Sequence, residues 1–209
     1  MTMNTLYYSP GTCALGIHLL LEELGEPYRL EKVDTTRGEQ HQADFLAVSR
    51  KAKVPALRRS DGSVLTEFPA IAYWLAVTHP EKSLFPRDPE AQARALEAMD
   101  YVVASLHMQG FTRVWRPQNF IENPAEHEAV KRRGQEICRK GIGLMDEALA
   151  GRDYLVGEFS IADAALFYFE FWLVSRLKWE LPANCAGHYA RVLARPSAKR
   201  ALEQEGLTG

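Results

Sequence analysis

The sequence predicts a small mixed α/β domain followed by a larger all-helical domain. Strand and helix patterns alternate through residues 1–79, whereas every later segment has helical periodicity. Between the two regions, the stretch from His79 to Pro89 holds three prolines and has no clear period, which is typical of a linker. We therefore expect an α/β domain over residues 1–79, a linker over 80–89 and a helical-bundle domain over 90–209.

The first domain should contain its elements in the order β-α-β, a looser segment, and β-β-α. The first strand ends in a Ser-Pro-Gly turn, the first helix has a C-terminal Gly25, and a Ser-Asp-Gly turn joins the last two strands. A proline in the first turn favours the start of the final helix. The expected strands and helices are Thr5–Tyr8, Leu15–Leu24, Tyr28–Val33, Val54–Arg58, Ser63–Thr66 and Glu67–Thr78.

The second domain should consist of helices only. Apolar residues recur at helical spacing from Met99 to Leu106 and from Ile137 to Leu149. The segment Ser160-Ile161-Ala162-Asp163 is typical of a capping box and precedes a strongly apolar stretch that runs to Leu177. A last helix is expected from His188 to Glu205, interrupted near Pro196.

Composition excludes several classes of protein. The chain has 209 residues, of which 46% are hydrophobic and 25% charged, and its formal net charge is -2. This is ordinary globular composition, and near-neutral charge argues against a nucleic-acid groove or a polybasic membrane patch. No apolar run approaches the roughly 20 residues of a membrane helix. The first basic residue is Arg29, which argues against a secretion signal, so we expect a cytoplasmic protein.

Cys13 is the first candidate for chemistry. The three cysteines form no Cys-x-x-Cys pair, which argues against a disulfide framework or a metal site. Cys13, however, follows a strand and a turn and stands where a helix begins. There the unpaired backbone N–H groups would lower the pKa of a thiol and favour its thiolate. The alternative is that Cys13 is a small buried apolar residue.

Two further features each allow two interpretations. Pro55 opens an expected strand, which suits either an edge strand or a cis Val54–Pro55 bond that turns the Val54 backbone toward an extended peptide ligand. Glu67 lies between a strand and a helix. Its carboxylate either interacts with the helix dipole or, together with the neighbouring N–H groups, binds a ligand that carries both an ammonium and a carboxylate.

Asp100, Ala104 and His107 share one helix face next to the apolar stripe. This face either borders a cleft or is solvated. The dense aromatic residues between Phe167 and Trp172 are more typical of a core helix than of a ligand site, although Phe111, Trp115 and Tyr168 are candidates to line a pocket.

Taken in order along nearly the whole chain, several segments resemble one family, the cytosolic glutathione S-transferases, in their bacterial beta-like class. Each segment is weak evidence alone, and the ordered set is strong. The segments are Leu6-Tyr7-Tyr8-Ser9-Pro10-Gly11-Thr12-Cys13, Lys53-Val54-Pro55-Ala56-Leu57, Leu65-Thr66-Glu67, Phe159-Ser160-Ile161-Ala162-Asp163, Arg195-Pro196 and Glu205-Gly206-Leu207.

The resemblance implies a fold, a ligand and roles for residues. The first domain would be thioredoxin-like and bind glutathione, and the helical domain would line the pocket for a small hydrophobic electrophile or a disulfide. Homodimers are usual in the family. Cys13 would face the glutathione sulfur, and His107 matches a histidine that reaches the active site. The implied glutathione-binding residues are Tyr8, Lys53, Val54, Pro55, Glu67, Phe68 and Asp100.

The sequence departs from the family pattern at four positions. The loop Thr35-Thr36-Arg37-Gly38 lacks the lysine that commonly holds the glycine carboxylate, and Arg37, Gln40 and Lys53 are the candidate replacements. Phe68 replaces a small residue and could narrow the site, Ala14 replaces a serine, and Asp100 stands where an amide is frequent. These changes bear on glutathione affinity more than on the fold.

The leading hypothesis is an enzyme that activates the glutathione thiol for attack on electrophiles or disulfides. Cys13 could also form a mixed disulfide with glutathione, and without a Cys-x-x-Cys partner it would need a second glutathione for release. We therefore expect thiol transfer or peroxide-linked activity beside weak conjugation. The alternatives are a dedicated glutathione-dependent isomerase, dehalogenase or lyase, and a binding or structural relative with little activity.

Overall fold

The chain folds into two compact units. The computed structural model describes residues 3–207. Among these residues, one unit comprises 3–85 together with 192–207, and the other is Pro86–Arg191. The end of the chain therefore packs with the first unit, whereas the sequence grouped residues 90–209 together.

A four-stranded sheet forms the centre of the first unit. Its strands are β1 (Asn4–Tyr8), β2 (Tyr28–Lys32), β3 (Ala56–Arg58) and β4 (Val64–Thr66), in the order β2-β1-β3-β4. β1 pairs with β2 in parallel, with Leu6 opposite Leu30, and pairs with β3 in antiparallel fashion. β3 and β4 form the hairpin predicted from the Ser-Asp-Gly turn.

Three helices in the first unit precede its C-terminal helix: α1 (Ala14–Leu24), α2 (Ala43–Val48) and α3 (Phe68–Thr78). The apolar stripe predicted for α1 is completely buried, and Gly25 ends that helix with φ 70°, a left-handed conformation that glycine adopts without strain. Helices α1 and α3 occupy the positions predicted from the sequence. α2 lies in the segment that the sequence left without structure.

The second unit is helical. Its helices are α4 (Pro89–Asp100), α5 (Thr112–Trp115), α6 (His127–Ala148), α7 (Ile161–Ser175) and most of α8 (Ala183–Ala194), whose last three residues are counted with the first unit. A π-helical segment, Tyr101–Phe111, lies between α4 and α5. The last helix, α9 (Pro196–Gln204), begins at the predicted interruption. Within residues 3–207 no helix is long and apolar enough to cross a membrane.

The predicted capping box begins α7. The Ser160 hydroxyl accepts from the N–H of Ala162, and the Asp163 carboxylate accepts from the N–H of Ser160 at 2.8 Å. A third bond joins Asp163 to the N–H of Leu155 at 2.9 Å. The completely buried Asp163 therefore supports both the helix start and the chain before it.

A buried ionisable cluster joins α7 to α8. His188 lies between two carboxylates, with its Nδ1 2.8 Å from Glu170 Oε2 and its Nε2 3.3 Å from Asp163 Oδ1, and all three side chains are fully buried. Glu170 and Asp163 raise the pKa of His188 to about 9 although burial opposes this. Burial raises the pKa of Glu170 to about 7, and Cys185 and Tyr189 of α8 also face that carboxyl. The charged histidine thus compensates buried negative charge.

This cluster predicts that stability falls as pH rises from 7 to 9. An unfolded histidine has lost its proton by pH 7, whereas folded His188 keeps its proton until about pH 9. The folded state therefore binds the extra proton, and His188 alone should contribute a slope of up to about 1.4 kcal/mol per pH unit. Urea unfolding at several pH values measures this slope. Glu170→Gln should flatten it, and an equal slope in that variant would contradict the assignment.

Candidate active site around Cys13

The turn before α1 positions Cys13. Gly11 adopts φ 64° in this turn, and the N–H of Thr12 donates to the carbonyl of Ser9 at 3.1 Å. Cys13 is the N-cap residue of α1, as the sequence predicted. A buried bond of 2.7 Å from the N–H of Gly11 to Glu205 Oε2 holds the turn from the far end of the chain.

The Cys13 thiol is held in its neutral form. Its Sγ lies 3.8 Å from the carbonyl oxygen of Val54, to which the S–H donates. Burial raises the pKa of this thiol to about 12, and backbone N–H groups at the helix start lower it less than burial raises it. The expected lowering of the pKa is therefore wrong for the ligand-free protein, because desolvation exceeds the effect of the helix terminus.

Charged side chains of both signs act on the thiol. The Glu67 carboxylate raises the pKa of Cys13, and the Lys53 ammonium lowers it, each by less than burial does. Both side chains lie at the surface. The structure therefore brings Cys13, Lys53, Val54 and Glu67 into one region of the first unit.

The Val54–Pro55 peptide bond is cis. Pro55 is buried and directly precedes β3, which lies between β1 and β4 in the interior of the sheet. The edge-strand interpretation of this proline is therefore wrong, and the interpretation as a cis proline is confirmed. Val54 itself is half-buried, and its carbonyl faces the Cys13 thiol.

Glu67 joins β4 to α3 in an unusual backbone conformation. Its φ of 72° and ψ of 128° lie outside the regions that residues with side chains ordinarily adopt, and such conformations concentrate at functional sites. Its carboxylate caps no backbone N–H of α3. Instead it lies 2.7 Å from the Nζ of Lys51, an ion pair that leaves 58% of the Glu67 side chain exposed.

Phe68 and Tyr8 are core residues. Phe68, the first residue of α3, is only 4% exposed, so its ring packs in the interior and does not narrow the surface beside Glu67. Tyr8 is buried at the end of β1, with its ring 6.0 Å from the His18 ring. Burial and the Glu205 carboxylate raise the pKa of Tyr8. The predicted glutathione contact of Tyr8 stays a prediction.

The other two predicted site residues belong to the second unit. His107 lies in the π-helical segment, with its ring 4.7 Å from that of Trp172 and its Nδ1 3.4 Å from the Tyr168 hydroxyl. Phe111 stacks on Trp172 at 4.4 Å, which extends this aromatic cluster. Asp100 is exposed at the end of α4. The roles predicted for His107 and Asp100 stay predictions.

Sequence reasoning missed two residues of the site region. Lys51 was not considered, although it lies in the same short loop as Val54 and is oppositely charged to Glu67. Glu205 was noted only as part of a terminal motif, and its bonds to Gly11 and His18 join residues that are far apart in the sequence. Among residues 3–207, no group of three or more metal-ligating side chains is placed to hold an ion.

Comparisons with known proteins identify a single family. Residues 11–78 match the model of the glutathione S-transferase N-terminal domain. The chain is 34% identical over 206 residues to glutathione S-transferase GstA of Escherichia coli O157:H7, which covers 97% of this chain and 98% of that protein.

Two solved structures are similar to this chain over nearly its full length. A glutathione transferase homolog from Sulfitobacter, determined with bound glutathione, has a TM-score of 0.88 and 28% identity, with 100% of both chains covered. The beta class glutathione S-transferase of Sphingomonas chungbukensis has a TM-score of 0.81 and 31% identity, covering 98% of this chain and 100% of that one. These similarities confirm the expected fold, a thioredoxin-like domain followed by a helical domain.

The neutral thiol predicts slow alkylation of Cys13 in the ligand-free protein. With a pKa of about 12, Cys13 should react with iodoacetamide more than about a hundredfold more slowly at pH 7 than free cysteine does, because only the thiolate reacts. The rate should rise about tenfold per pH unit up to pH 10. Mass spectrometry of the Cys13 peptide measures it separately from Cys138 and Cys185.

Two variants test the electrostatic origin of this effect. Glu67→Gln should speed alkylation, because the carboxylate raises the thiol pKa, and Lys53→Met should slow it. A rate that stops increasing below pH 8, or changes of the same sign in both variants, would contradict this description of the site.

Proposed function

Given that this chain belongs to the glutathione S-transferase family, we propose that it is a glutathione-dependent transferase in which the Cys13 S–H group stabilises the glutathione thiolate. The observation that supports this role most strongly is the raised pKa of Cys13, about 12, at the start of α1. A thiol with this pKa keeps its proton at neutral pH. It can therefore donate a hydrogen bond to a neighbouring thiolate.

The first unit offers complementary groups for each part of glutathione. The backbone of Val54, beside Cys13, suits the cysteinyl part of an extended peptide. The Glu67 carboxylate suits the γ-glutamyl ammonium, and the N-terminal end of α3 at Phe68 favours the nearby α-carboxylate. Exposed Lys53 would attract the glycine carboxylate, in place of the lysine that the loop after β2 lacks.

The reaction consists of attack by the glutathione sulfur. As the electrophilic carbon bonds to sulfur, its leaving group departs with the bonding electron pair. With a disulfide as acceptor, glutathione sulfur bonds to one sulfur atom and the other leaves as thiolate. The S–H of Cys13 and the N–H groups at the start of α1 stabilise the nucleophile before attack.

A second candidate function is thiol transfer through Cys13 itself. Its thiolate would attack a glutathione-containing mixed disulfide, which gives a Cys13–glutathione disulfide and releases the other thiolate. A second glutathione would then release Cys13 and form glutathione disulfide. The partial exposure of Cys13 favours this route, whereas its raised pKa disfavours it.

A homodimer and a cytoplasmic location are further expectations. Tyr73 and Val77 lie four residues apart on α3 and are 46% and 41% exposed, so they present an apolar surface that suits a second copy. Sedimentation velocity measures whether the protein is a dimer. A small hydrophobic electrophile is the expected second substrate, and substrate screening identifies it.

Replacing Cys13 with serine and with alanine distinguishes the two roles of its side chain. A serine hydroxyl still donates a hydrogen bond, so Cys13→Ser should conjugate glutathione to an aryl halide at nearly the normal rate. Cys13→Ala should lose about tenfold to a hundredfold in kcat/KM, since a hydrogen bond to a charged group is lost. Steady-state kinetics at neutral pH measures both, and Lys82→Met, which removes an exposed side chain of the first unit, serves as a control.

The outcome for serine is decisive. If both Cys13 variants fail equally with a model disulfide, the Cys13 sulfur acts as a nucleophile and the second candidate is favoured. If both retain the full rates with an aryl halide and a model disulfide, Cys13 has no catalytic role.

A further inference from the structure

We infer that Lys51 is a glutathione-binding residue, which together with Glu67 forms a receptor for the zwitterionic γ-glutamyl end of glutathione. The inference rests on the proposed function, since it requires that Glu67 accepts the ligand's ammonium. It assigns to Lys51 the α-carboxylate on the same carbon atom. Lys51 would thus determine specificity for a complete γ-glutamyl group.

The geometry places the two charges side by side. Lys51 Nζ lies 2.7 Å from Glu67 Oε1, and the two side chains are 54% and 58% exposed. An α-amino acid carries its ammonium and carboxylate on one carbon, so a ligand ammonium on Glu67 brings its carboxylate within reach of the neighbouring Lys51 ammonium. The arrangement of charges is therefore complementary to the ligand.

The backbone at both ends of this ion pair is constrained. Ala52, next to Lys51, has φ 53°, and Glu67 has φ 72°, two of the four non-glycine residues with positive φ within residues 3–207. The N–H of Ala52 donates to the carbonyl of Ser49 at 3.0 Å, which closes the turn that presents Lys51. Such conformations persist only where the surrounding structure determines them. The backbone that carries each of the two charged side chains is therefore held in place.

The ion pair in the ligand-free protein opens at little cost. Ion pairs between exposed side chains contribute little to stability, because water screens both charges. A zwitterionic ligand replaces this one pair with two, because Glu67 then faces the ligand ammonium and Lys51 the ligand carboxylate. The long lysine side chain allows this movement without a change in the backbone.

Lys51 and Lys53 have separate roles in this arrangement. Lys53 acts on the Cys13 thiol, whose pKa it lowers, whereas Lys51 contacts the Glu67 carboxylate directly. Removal of Lys51 should therefore change recognition of the γ-glutamyl end and leave the Cys13 alkylation rate almost unaltered.

Calorimetric titration with chosen ligands tests the inference. S-methylglutathione, which lacks a reactive thiol, is compared with an analogue without the α-carboxylate, S-methylated γ-aminobutyryl-cysteinylglycine. Lys51→Met should bind S-methylglutathione about two- to fivefold more weakly and bind the analogue as the wild type does. Lys51→Arg should restore most of the affinity. Lys82→Met, which removes another exposed lysine of the first unit, is the matched control.

Glu67→Gln separates failure of this inference from failure of the proposed function. If wild type and Glu67→Gln bind S-methylglutathione equally, or neither binds, Glu67 does not hold the ammonium and the proposed site is wrong. If Glu67→Gln weakens binding but Lys51→Met leaves it unchanged or tighter, Lys51 merely competes for Glu67 and the inference is overturned. An equal loss with both ligands in Lys51→Met would overturn it as well.

Discussion

The position of Cys13 depends on a carboxylate contributed by the end of the chain. Buried Glu205 accepts the N–H of Gly11 at 2.7 Å and contacts His18 Nδ1 at 2.9 Å, so it ties the turn before α1 to the middle of α1. Ion pairs from Arg195 and Arg200 to Glu23 and Glu22 of α1 hold α9 against that helix. A buried charge with several partners tolerates little displacement, because losing one partner leaves it uncompensated. The position of the Cys13 thiol at the start of α1 is therefore fixed.

At the start of α1, two effects on the pKa of the Cys13 thiol oppose each other. The helix terminus lowers this pKa, and burial raises it by more. The start of a helix favours an anion, which suggested a reactive thiolate, yet desolvation keeps Cys13 protonated in the ligand-free protein. The protonated thiol lies beside the Val54 carbonyl, and the N–H groups of Cys13 and Ala14 act on its sulfur. In the proposed role, the same location that disfavours a Cys13 thiolate would stabilise a thiolate brought by a ligand, because that thiolate would accept hydrogen bonds from these donors. In the proposed role, glutathione is the nucleophile and the protein donates hydrogen bonds to it.

Local features were predictable from the sequence and distant ones were not. The end of α1 at Gly25, the hairpin between β3 and β4 and the capping box of α7 depend on residues within a few positions of each other, which pattern reasoning detects. The six-residue α2 is too short to show a period. The bond between His18 and Glu205, the pair of Lys51 and Glu67 and the pKa of Cys13 all depend on tertiary contacts, for which one sequence has no local signal.

The central claim is that the Cys13 thiol stabilises the thiolate of bound glutathione. The most direct measurement is a pH titration of the ultraviolet absorbance of thiolate in the glutathione complex, for wild type and Cys13→Ala. We expect bound glutathione to ionise in the wild type well below the usual thiol pKa of about 8.5, and we expect Cys13→Ala to move this pKa upward. An identical pKa in both proteins, or a thiolate signal from Cys13 at neutral pH without glutathione, would contradict it.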